Sequence, residues 1–528
     1  MCESSVIPSF QLIAQYTRCT SLLSLSISWP LSVMEHSKQN FLKQLQCPFT
    51  WNLADIKSDN TKKSTLDHLL QKNNNVSGQP WINLLLSLAT AYEYCINEDA
   101  SRAFSELDKS ITILENEKND AFLNKYKKSF QHVVYSTKLF VKKDILTNSE
   151  FVKEMKNIPH YSELSAEQKT AITGIKANIS SEYGVQGSKY ALTLARQALK
   201  ANPRESEWSF FVGILLGRIR HYSCEKKVTD EELSSMENAY KLNKTPQNAV
   251  FMAQTYLDVA TSLKTIYSYS EDRKQIIHRG RMNEDFYKNA YNLYKEALDL
   301  NENSHKDLQI KIRCIDGQFK VIQYSGKKRE NAIELENLIR AIKECLEVAP
   351  DHTYSNHIAS KIYFELGDNE NGFKHAYISE KNGNFQALMT IIGKKLELKI
   401  KFNSEKIFED ALKTYQDEVY LYQTYVLAIA YYIFHQYNIV LMMKYFLMAA
   451  ECKMDRKHFK RYLFWTRKPV DVCHIACNQV RLTIMNKRYK SEEELKQLKQ
   501  AVEKFCSLYP DVMKEAVRND LLQNLKKR

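Results

Sequence analysis

The sequence predicts an all-α fold in which helix pairs stack into an α-solenoid, or superhelix. The chain has 528 residues but only 13 Gly and 10 Pro. These two residues are the ones that most often interrupt helices, so their scarcity indicates long helices throughout. Hydrophobic residues make up 44% and charged residues 26% of the chain, which is a composition typical of a protein with a sizeable core.

A recurring spacing of small and aromatic residues supports this fold. In a tetratricopeptide repeat of about 34 residues, the second helix carries a small residue, an aromatic four later and a small residue three after that. Small residues let neighbouring helices approach, and the aromatic ring fills the groove between them. In segment 289–303, Ala290, Tyr294 and Ala297 fill the small, aromatic and small positions. In segment 190–203, Ala191, Ala198 and Pro203 fill the small, small and proline positions, and the aromatic position holds Ala195.

Further helix pairs are predicted towards the carboxyl terminus. Tyr363 and Gly367 mark the end of a first helix, and Gly372 and Ala376 lie on the second. The apolar residues 419–450 predict one more pair. Each match alone is weak, but several in order favour a solenoid over the alternative, an irregular helical bundle.

Changes in composition predict four regions. Residues 1–33 are rich in Ser and Leu and nearly uncharged. We interpret them as a disordered or spurious extension in preference to a signal peptide. Met34 is then the functional start of the protein. Residues 34–265 form an N-terminal helical block, 266–350 a central block and 351–528 a C-terminal block. The charged, poorly periodic residues 266–286 are expected to separate the first two blocks.

No motif for catalysis, a cofactor or a metal is present. The closest cysteine pair, Cys473 and Cys477, has helical spacing without a second pair to complete a zinc site. The 11 cysteines are scattered, which favours a reducing compartment. The most apolar run, residues 425–434, is about half the length that a membrane span needs. We therefore expect a protein that is not an enzyme, with no cofactor and no membrane association.

The charge balance indicates a polyanionic partner. The formal net charge is +13, which favours association with nucleic acid or an acidic surface. Basic residues cluster with aromatics at 217–222, which contains Arg218 and Arg220, and at 455–468. Lysine and arginine neutralise phosphates, whereas aromatic rings stack on unpaired bases. The alternative is a solvated helix face backed by core aromatics.

The segment at 42–53, LKQLQCPFTWNL, resembles the start of the interferon-induced proteins with tetratricopeptide repeats. These begin with a Leu-x-x-Leu-x-Cys-x-Phe-Thr-Trp-x-Leu box that precedes a long helix. Cys47, Phe49 and Trp51 match the box, together with Leu42, Leu45, Thr50 and Leu53. Large rings at Phe49 and Trp51 are expected to form an apolar cap under the first helices.

The resemblance implies a cytoplasmic, non-catalytic superhelix that acts in innate antiviral defence. It further implies a positive channel that holds the 5′ end of single-stranded RNA, and self-association in some members. The family's phosphate-contacting arginine corresponds to Arg218, and a pocket glutamine corresponds to Gln309. The family's Trp and Lys fall in a segment of this chain where Lys176 is the only basic residue. The family's arginine and glutamine on the first long helix fall near Ser64 and His68. Lys63 is close to these positions but is not in register with them. Later arginine and lysine positions fall at Met252 and Ala349.

Two hypotheses follow from the sequence. In the first, the protein binds single-stranded RNA in a basic channel through Arg218, Arg220, Gln309, Lys176 and Lys63. In the second, the repeats form a scaffold for protein partners on the concave face, without RNA. The net charge and Arg218 favour the first.

Overall fold

The computed structural model describes residues 31–56, 62–74, 79–223, 225, 227–267, 273–302, 307–325, 332–416, 418–452, 459–461, 470–486, 489 and 491–508. Almost all of the predicted extension, residues 1–33, therefore lies outside the described part of the chain.

The described residues form 23 α-helices, three short 3₁₀ turns and one pair of two-residue strands. The strands, β1 (Lys460–Arg461) and β2 (Val470–Asp471), are antiparallel. The helices are α1 (Leu31–Gln44), α2 (Lys62–Asn74), α3 (Pro80–Ile96), α4 (Ala100–Asn116), α5 (Ala121–Lys125), α6 (Lys127–Lys142), α7 (Asn148–Lys156), α8 (Ala166–Ser180), α9 (Gly184–Ala201), α10 (Ser206–Tyr222), α11 (Asp230–Leu242), α12 (Pro246–Tyr267), α13 (Arg273–Glu302), α14 (Leu308–Ser325), α15 (Ala332–Val348), α16 (Thr353–Leu366), α17 (Asn369–Lys381), α18 (Phe385–Glu397), α19 (Ser404–Thr414), α20 (Glu418–Phe434), α21 (Ile439–Glu451), α22 (Val472–Met485) and α23 (Glu492–Leu508).

Helices that follow one another in sequence pack as pairs. The most extensive contacts join α3 to α4, α8 to α9, α10 to α11, α12 to α13, α16 to α17 and α20 to α21. This confirms the predicted α-solenoid of tetratricopeptide-type pairs. It also confirms that residues 419–450 form a helix pair, α20 and α21.

The small and aromatic residues of the repeats do pack against one another. Ala290 and Ala297 are fully buried, and Tyr294 between them lies on the face of Gly317 in the next helix, α14. A methyl group added at Gly317 would lie 2.1 Å from the Tyr294 ring, so only glycine allows this approach. Gly367 ends α16 with φ of 86°, a left-handed conformation that glycine adopts without strain.

Residues 266–286 are mostly helical in the structure. Helix α12 continues to Tyr267 and α13 begins at Arg273, where the sequence had indicated a separating loop. One apolar cluster contains Ala249 and Val250 of α12 as well as Ala290 and Tyr294 of α13. Core packing therefore continues across the expected boundary at 265/266. The charged character of the segment did not show this, because a helix can carry many charges on its exposed side.

The Cys-x-Phe-Thr-Trp box forms a compact cap on the first helices. Trp51 is buried, and the Phe49 ring stacks on Phe140 at 5.2 Å between centroids and meets Tyr92 edge-on at 5.1 Å. The Thr50 hydroxyl donates to the Leu45 carbonyl at 2.7 Å, which closes the turn. The box therefore covers the apolar ends of α3 and α6.

A buried histidine holds this cap in place, and a buried cysteine packs within it. The buried His132 ring accepts a hydrogen bond from the Gln46 backbone N–H (3.2 Å) at Nε2, and its Nδ1 lies 2.7 Å from the Pro159 carbonyl. Burial lowers the pKa of His132, so the ring is neutral. Burial also raises the pKa of the Cys47 thiol to about 12, so this cysteine is an unreactive packing residue.

Among the described helices, none is long and apolar enough to cross a membrane.

The contact between Gly317 and Tyr294 gives a test of the repeat packing. We expect Gly317→Ala to lower the free energy of unfolding by about 1–3 kcal/mol, because overpacking against the ring outweighs the helix propensity of alanine. In a double-mutant cycle with Tyr294→Leu, the penalty of the alanine should largely disappear. Urea unfolding followed by circular dichroism measures both.

Gln386→Ala on the exposed side of α18 is the matched control and should leave stability within about 0.5 kcal/mol. Equal penalties for Gly317→Ala in both backgrounds would contradict the packing account.

Candidate nucleic-acid interface

Arg218 is positioned by the packing of α10 on α8. The Trp208 ring of α10 lies against Gly174 of α8, where a methyl group would be 2.2 Å from the ring. This close approach brings the last turns of α10 to the end of α8. The half-buried Arg218 then donates from Nη1 to the carbonyl and to the hydroxyl oxygen of Ser181, each at 3.3 Å. A cation at the carboxyl end of a helix is favoured by the helix dipole.

Glu182, the residue after Ser181, connects this region to helix α2. Glu182 accepts from the Lys72 ammonium at 2.6 Å, and His68 Nε2 lies 3.4 Å from the same oxygen. His68 and Lys72 are four residues apart on α2 and so share one face. The Glu182 side chain is 7% exposed, whereas those of Lys72 and His68 are 36% and 50% exposed. We call His68, Lys72, Glu182 and Arg218 the Glu182 cluster.

Glu182 is ionised in this setting. Burial by itself raises the pKa of Glu182, but the charge of Lys72, the hydrogen bond from His68 and the charge of Arg218 outweigh burial and hold it well below its usual range. The cluster therefore contains a permanent negative charge at neutral pH. It presents cations to solvent around a buried carboxylate.

Lys176 lies near this cluster in sequence but has a different contact. It is half-buried on α8, and its ammonium lies 5.6 Å from the centroid of the Tyr190 ring on α9. A lysine over a tyrosine face places a cation and an aromatic ring side by side. Lys63 belongs to α2, but its side chain lies outside the part of the chain that the structure describes.

Gln309 occupies another helix junction. Its backbone N–H donates to Asp307 at 2.7 Å at the start of α14, and its side-chain nitrogen is 2.9 Å from Nε2 of His352, the N-cap residue of α16. Burial lowers the pKa of His352, so the ring is neutral there. Gln309 thus ties α14 to α16, and none of its contacts among the described residues joins it to Arg218.

Arg220 does not belong to an exposed phosphate site. Its side chain is 6% exposed, and it donates to Glu232 at 2.9 Å and to Asp258 at 2.6 Å. Burial by itself raises the pKa of Asp258, but His221 and Arg220 hold it below the usual value, so the ion pair is maintained. The sequence suggested an RNA contact, but the next two helices, α11 and α12, supply carboxylates that bind the guanidinium. The structure gives Arg220 a structural role.

A similar buried carboxylate occupies two lysines further along. Asp316 of α14 accepts from Lys361 and from Lys320, each at 2.7 Å, and from the Tyr354 hydroxyl at 2.7 Å. Although burial favours protonation, the two lysines hold the pKa of Asp316 well below its usual range. Both lysines are therefore held by one internal carboxylate, and the three groups together keep one positive charge.

The basic segment 455–468 lies almost wholly outside the described residues. Phe459 within it is fully buried and packs on Phe446 at 5.6 Å between centroids. Nearby, α21 and α23 enclose a groove lined by Val440, Met443, Lys444, Leu447, Gln497, Leu498, Gln500 and Lys504. Its two lysines pair with glutamates, so the groove offers apolar surface instead of phosphate-binding charge.

Sequence reasoning missed Lys72 and Glu182. The spacing of His68 and Lys72 was available as a signal for one helix face. Glu182 gave no signal, because its partner Lys72 is 110 residues away in the chain. Within the described residues, no group of His, Cys, Asp and Glu is arranged to hold a metal ion.

No protein-family model matches the chain, and no curated protein matches its sequence. The structure does resemble solved structures of human IFIT1. One, described as a human IFIT1 dimer with PPP-AAAA, has a TM-score of 0.53 at 13% identity and covers 93% of this chain and 98% of that chain. Another, a human IFIT1 dimer with m7Gppp-AAAA, has a TM-score of 0.54 at 14% identity and covers 92% and 99%. At this identity the likeness establishes a shared helical-repeat fold.

The different settings of the two arginines give a test. We expect Arg220→Met to lower the free energy of unfolding by about 3–5 kcal/mol, because it leaves the buried Glu232 without a cation and removes the arginine partner of Asp258. Arg218→Met, at a half-buried position, should change it by about 1 kcal/mol or less. Thermal and urea unfolding of both variants measures the difference. Equal losses of unfolding free energy would contradict the assignment of Arg220 to a buried ion pair and of Arg218 to a partly exposed position.

Proposed function

We propose that this chain is a non-catalytic member of the interferon-induced proteins with tetratricopeptide repeats that binds single-stranded RNA. Its place of action is then the cytoplasm, and its role innate antiviral defence. The observation that carries the proposal is the exposed cationic side of the Glu182 cluster, in a fold shared with human IFIT1 structures that hold PPP-AAAA and m7Gppp-AAAA.

The cluster retains donors for phosphate. An arginine has five N–H donors and a lysine has three. Among the described residues, Arg218 uses only Nη1 for its contacts with Ser181, and Lys72 makes one hydrogen bond to Glu182. The remaining N–H groups of two partly exposed side chains suit a phosphate oxygen. Charge-assisted hydrogen bonds of this kind are the strong ones.

Lys176 and Tyr190 supply the complementary element. The lysine neutralises a phosphate, and the tyrosine ring beside it offers a surface on which an unpaired base stacks. Arg218, Lys72 and Lys176 therefore form the proposed phosphate-binding set, with Gln309 as a polar contact at a separate junction. The overall charge of +13 assists association over a longer range.

Binding of short single-stranded RNA to purified protein tests the proposal. We expect affinity to fall steeply as salt rises, because phosphate neutralisation releases counterions. Arg218→Glu should weaken binding by about tenfold or more, since it removes charge-assisted hydrogen bonds and adds repulsion. Fluorescence anisotropy at two salt concentrations measures both effects.

Arg340→Glu on the exposed side of α15 is the matched control, because it makes the same change of charge away from the cluster. It should retain most of the affinity. Binding that is independent of salt, or equal loss in the two variants, would contradict the proposed site. If no RNA binds and partners are retained after ribonuclease treatment, the chain is a scaffold for proteins instead.

A further inference from the structure

The Glu182 cluster carries less positive charge than its number of cations suggests. Lys72 and Arg218 contribute two positive charges, and Glu182 contributes one negative charge. These three groups sum to +1, and Lys176 of the proposed phosphate-binding set, which lies over Tyr190 and outside the cluster, would raise the sum to +2. A ligand phosphate must therefore share its donors with a carboxylate that is already present.

Glu182 cannot readily leave the cluster. Its two chain neighbours, Ser181 and Tyr183, are each 4% exposed. The Tyr183 hydroxyl donates to the buried Glu93 at 2.8 Å, and Ser181 is held by Arg218. The backbone on both sides is thus anchored to α3 and α10. In the structure the Glu182 carboxylate lies beside Lys72 of α2.

The charge of an RNA end determines how it tolerates this carboxylate. A phosphodiester carries one negative charge, and a terminal monophosphate carries about 1.5 to 2 at pH 7. A 5′-triphosphate concentrates more negative charge on adjacent phosphates. Like charges within a few ångströms repel, and the repulsion is stronger where water is excluded. At this cluster, the two cations Lys72 and Arg218 would have to balance the negative charge of both the triphosphate and Glu182.

We propose that Glu182 is a specificity-determining residue that makes the site favour singly charged phosphodiesters of RNA over a 5′-triphosphate. This inference rests on the proposed RNA binding at the same site. The ligand class is single-stranded RNA held by its backbone, with no requirement for a highly charged 5′ end. Lys72 and Arg218 hold one phosphate, and Glu182 limits the charge that they accept.

The test compares RNAs of one sequence that carry a 5′-hydroxyl, a 5′-monophosphate or a 5′-triphosphate. The wild-type protein should bind the triphosphate RNA no more than about threefold tighter than the hydroxyl RNA, because the cluster sum is near +1. In Glu182→Gln, which keeps the shape and one acceptor oxygen but removes the charge, that ratio should rise by about tenfold. Fluorescence anisotropy at one fixed, low salt concentration measures the affinities.

Glu231→Gln is the matched control for net charge. Glu231 is 46% exposed and pairs with Arg196, apart from the cluster. Its neutralisation changes the formal charge by the same amount and should leave the ratio unaltered. Lys72→Gln is the second variant; it removes one cation and should lower the ratio below that of the wild type.

The wild-type protein alone can overturn the inference, whether or not Glu182→Gln folds. A wild-type preference of about tenfold or more for the triphosphate RNA would do so, and so would a ratio that Glu182→Gln and Glu231→Gln change equally. These outcomes leave RNA binding itself intact. Failure of every RNA to bind overturns the proposed function, and the inference with it.

Discussion

The close approach of α8 and α10 at Gly174 and Trp208 is the contact on which the candidate site depends. Because a side chain at Gly174 would overlap the indole ring, this position has to be glycine for the two helices to pack as they do. The same device, an aromatic ring on a glycine face, joins Tyr294 to Gly317 in later repeats. Repeat packing is therefore also what places Arg218 at the end of α8.

Buried carboxylates decide which cations of the solenoid are available. Glu232 and Asp258 occupy Arg220, and Asp316 occupies Lys320 and Lys361. In each case the acid is buried, so removing its cation would leave an uncompensated charge in the core. A cation that is paired with one of these buried carboxylates is less available to bind a ligand. These charges cancel within the formal net charge, so the surplus of +13 is carried by other basic residues.

The Glu182 cluster combines both features. It lies where three elements meet, α2, the end of α8 and α10, and its carboxylate is buried while Lys72 is partly exposed. The carboxylate of this site is part of the packed protein, whereas its lysine is partly exposed and available for binding. The chain thus shares a helical-repeat fold with the IFIT1 structures and has a buried carboxylate close to Arg218.

Local sequence was sufficient for the elements and for one site residue. The scarcity of Gly and Pro predicted helices, and the spacing of Ala290, Tyr294 and Ala297 predicted their pairing, because both depend on contacts within one or two turns. The box at 42–53 predicted the buried positions of Cys47 and Trp51. Residues 266–286 were expected to separate two blocks, and the described part of this segment belongs to helices α12 and α13.

The sequence by itself determined that this protein is an α-solenoid with an aromatic cap and an arginine near the end of α10. Only the tertiary structure decided that Arg218 is available while Arg220 is not. It alone decided that Lys72 and Glu182 meet, across 110 residues of chain. The physical reason is that ion pairing and burial depend on distances between helices, which the packing of the whole solenoid sets and local spacing does not record.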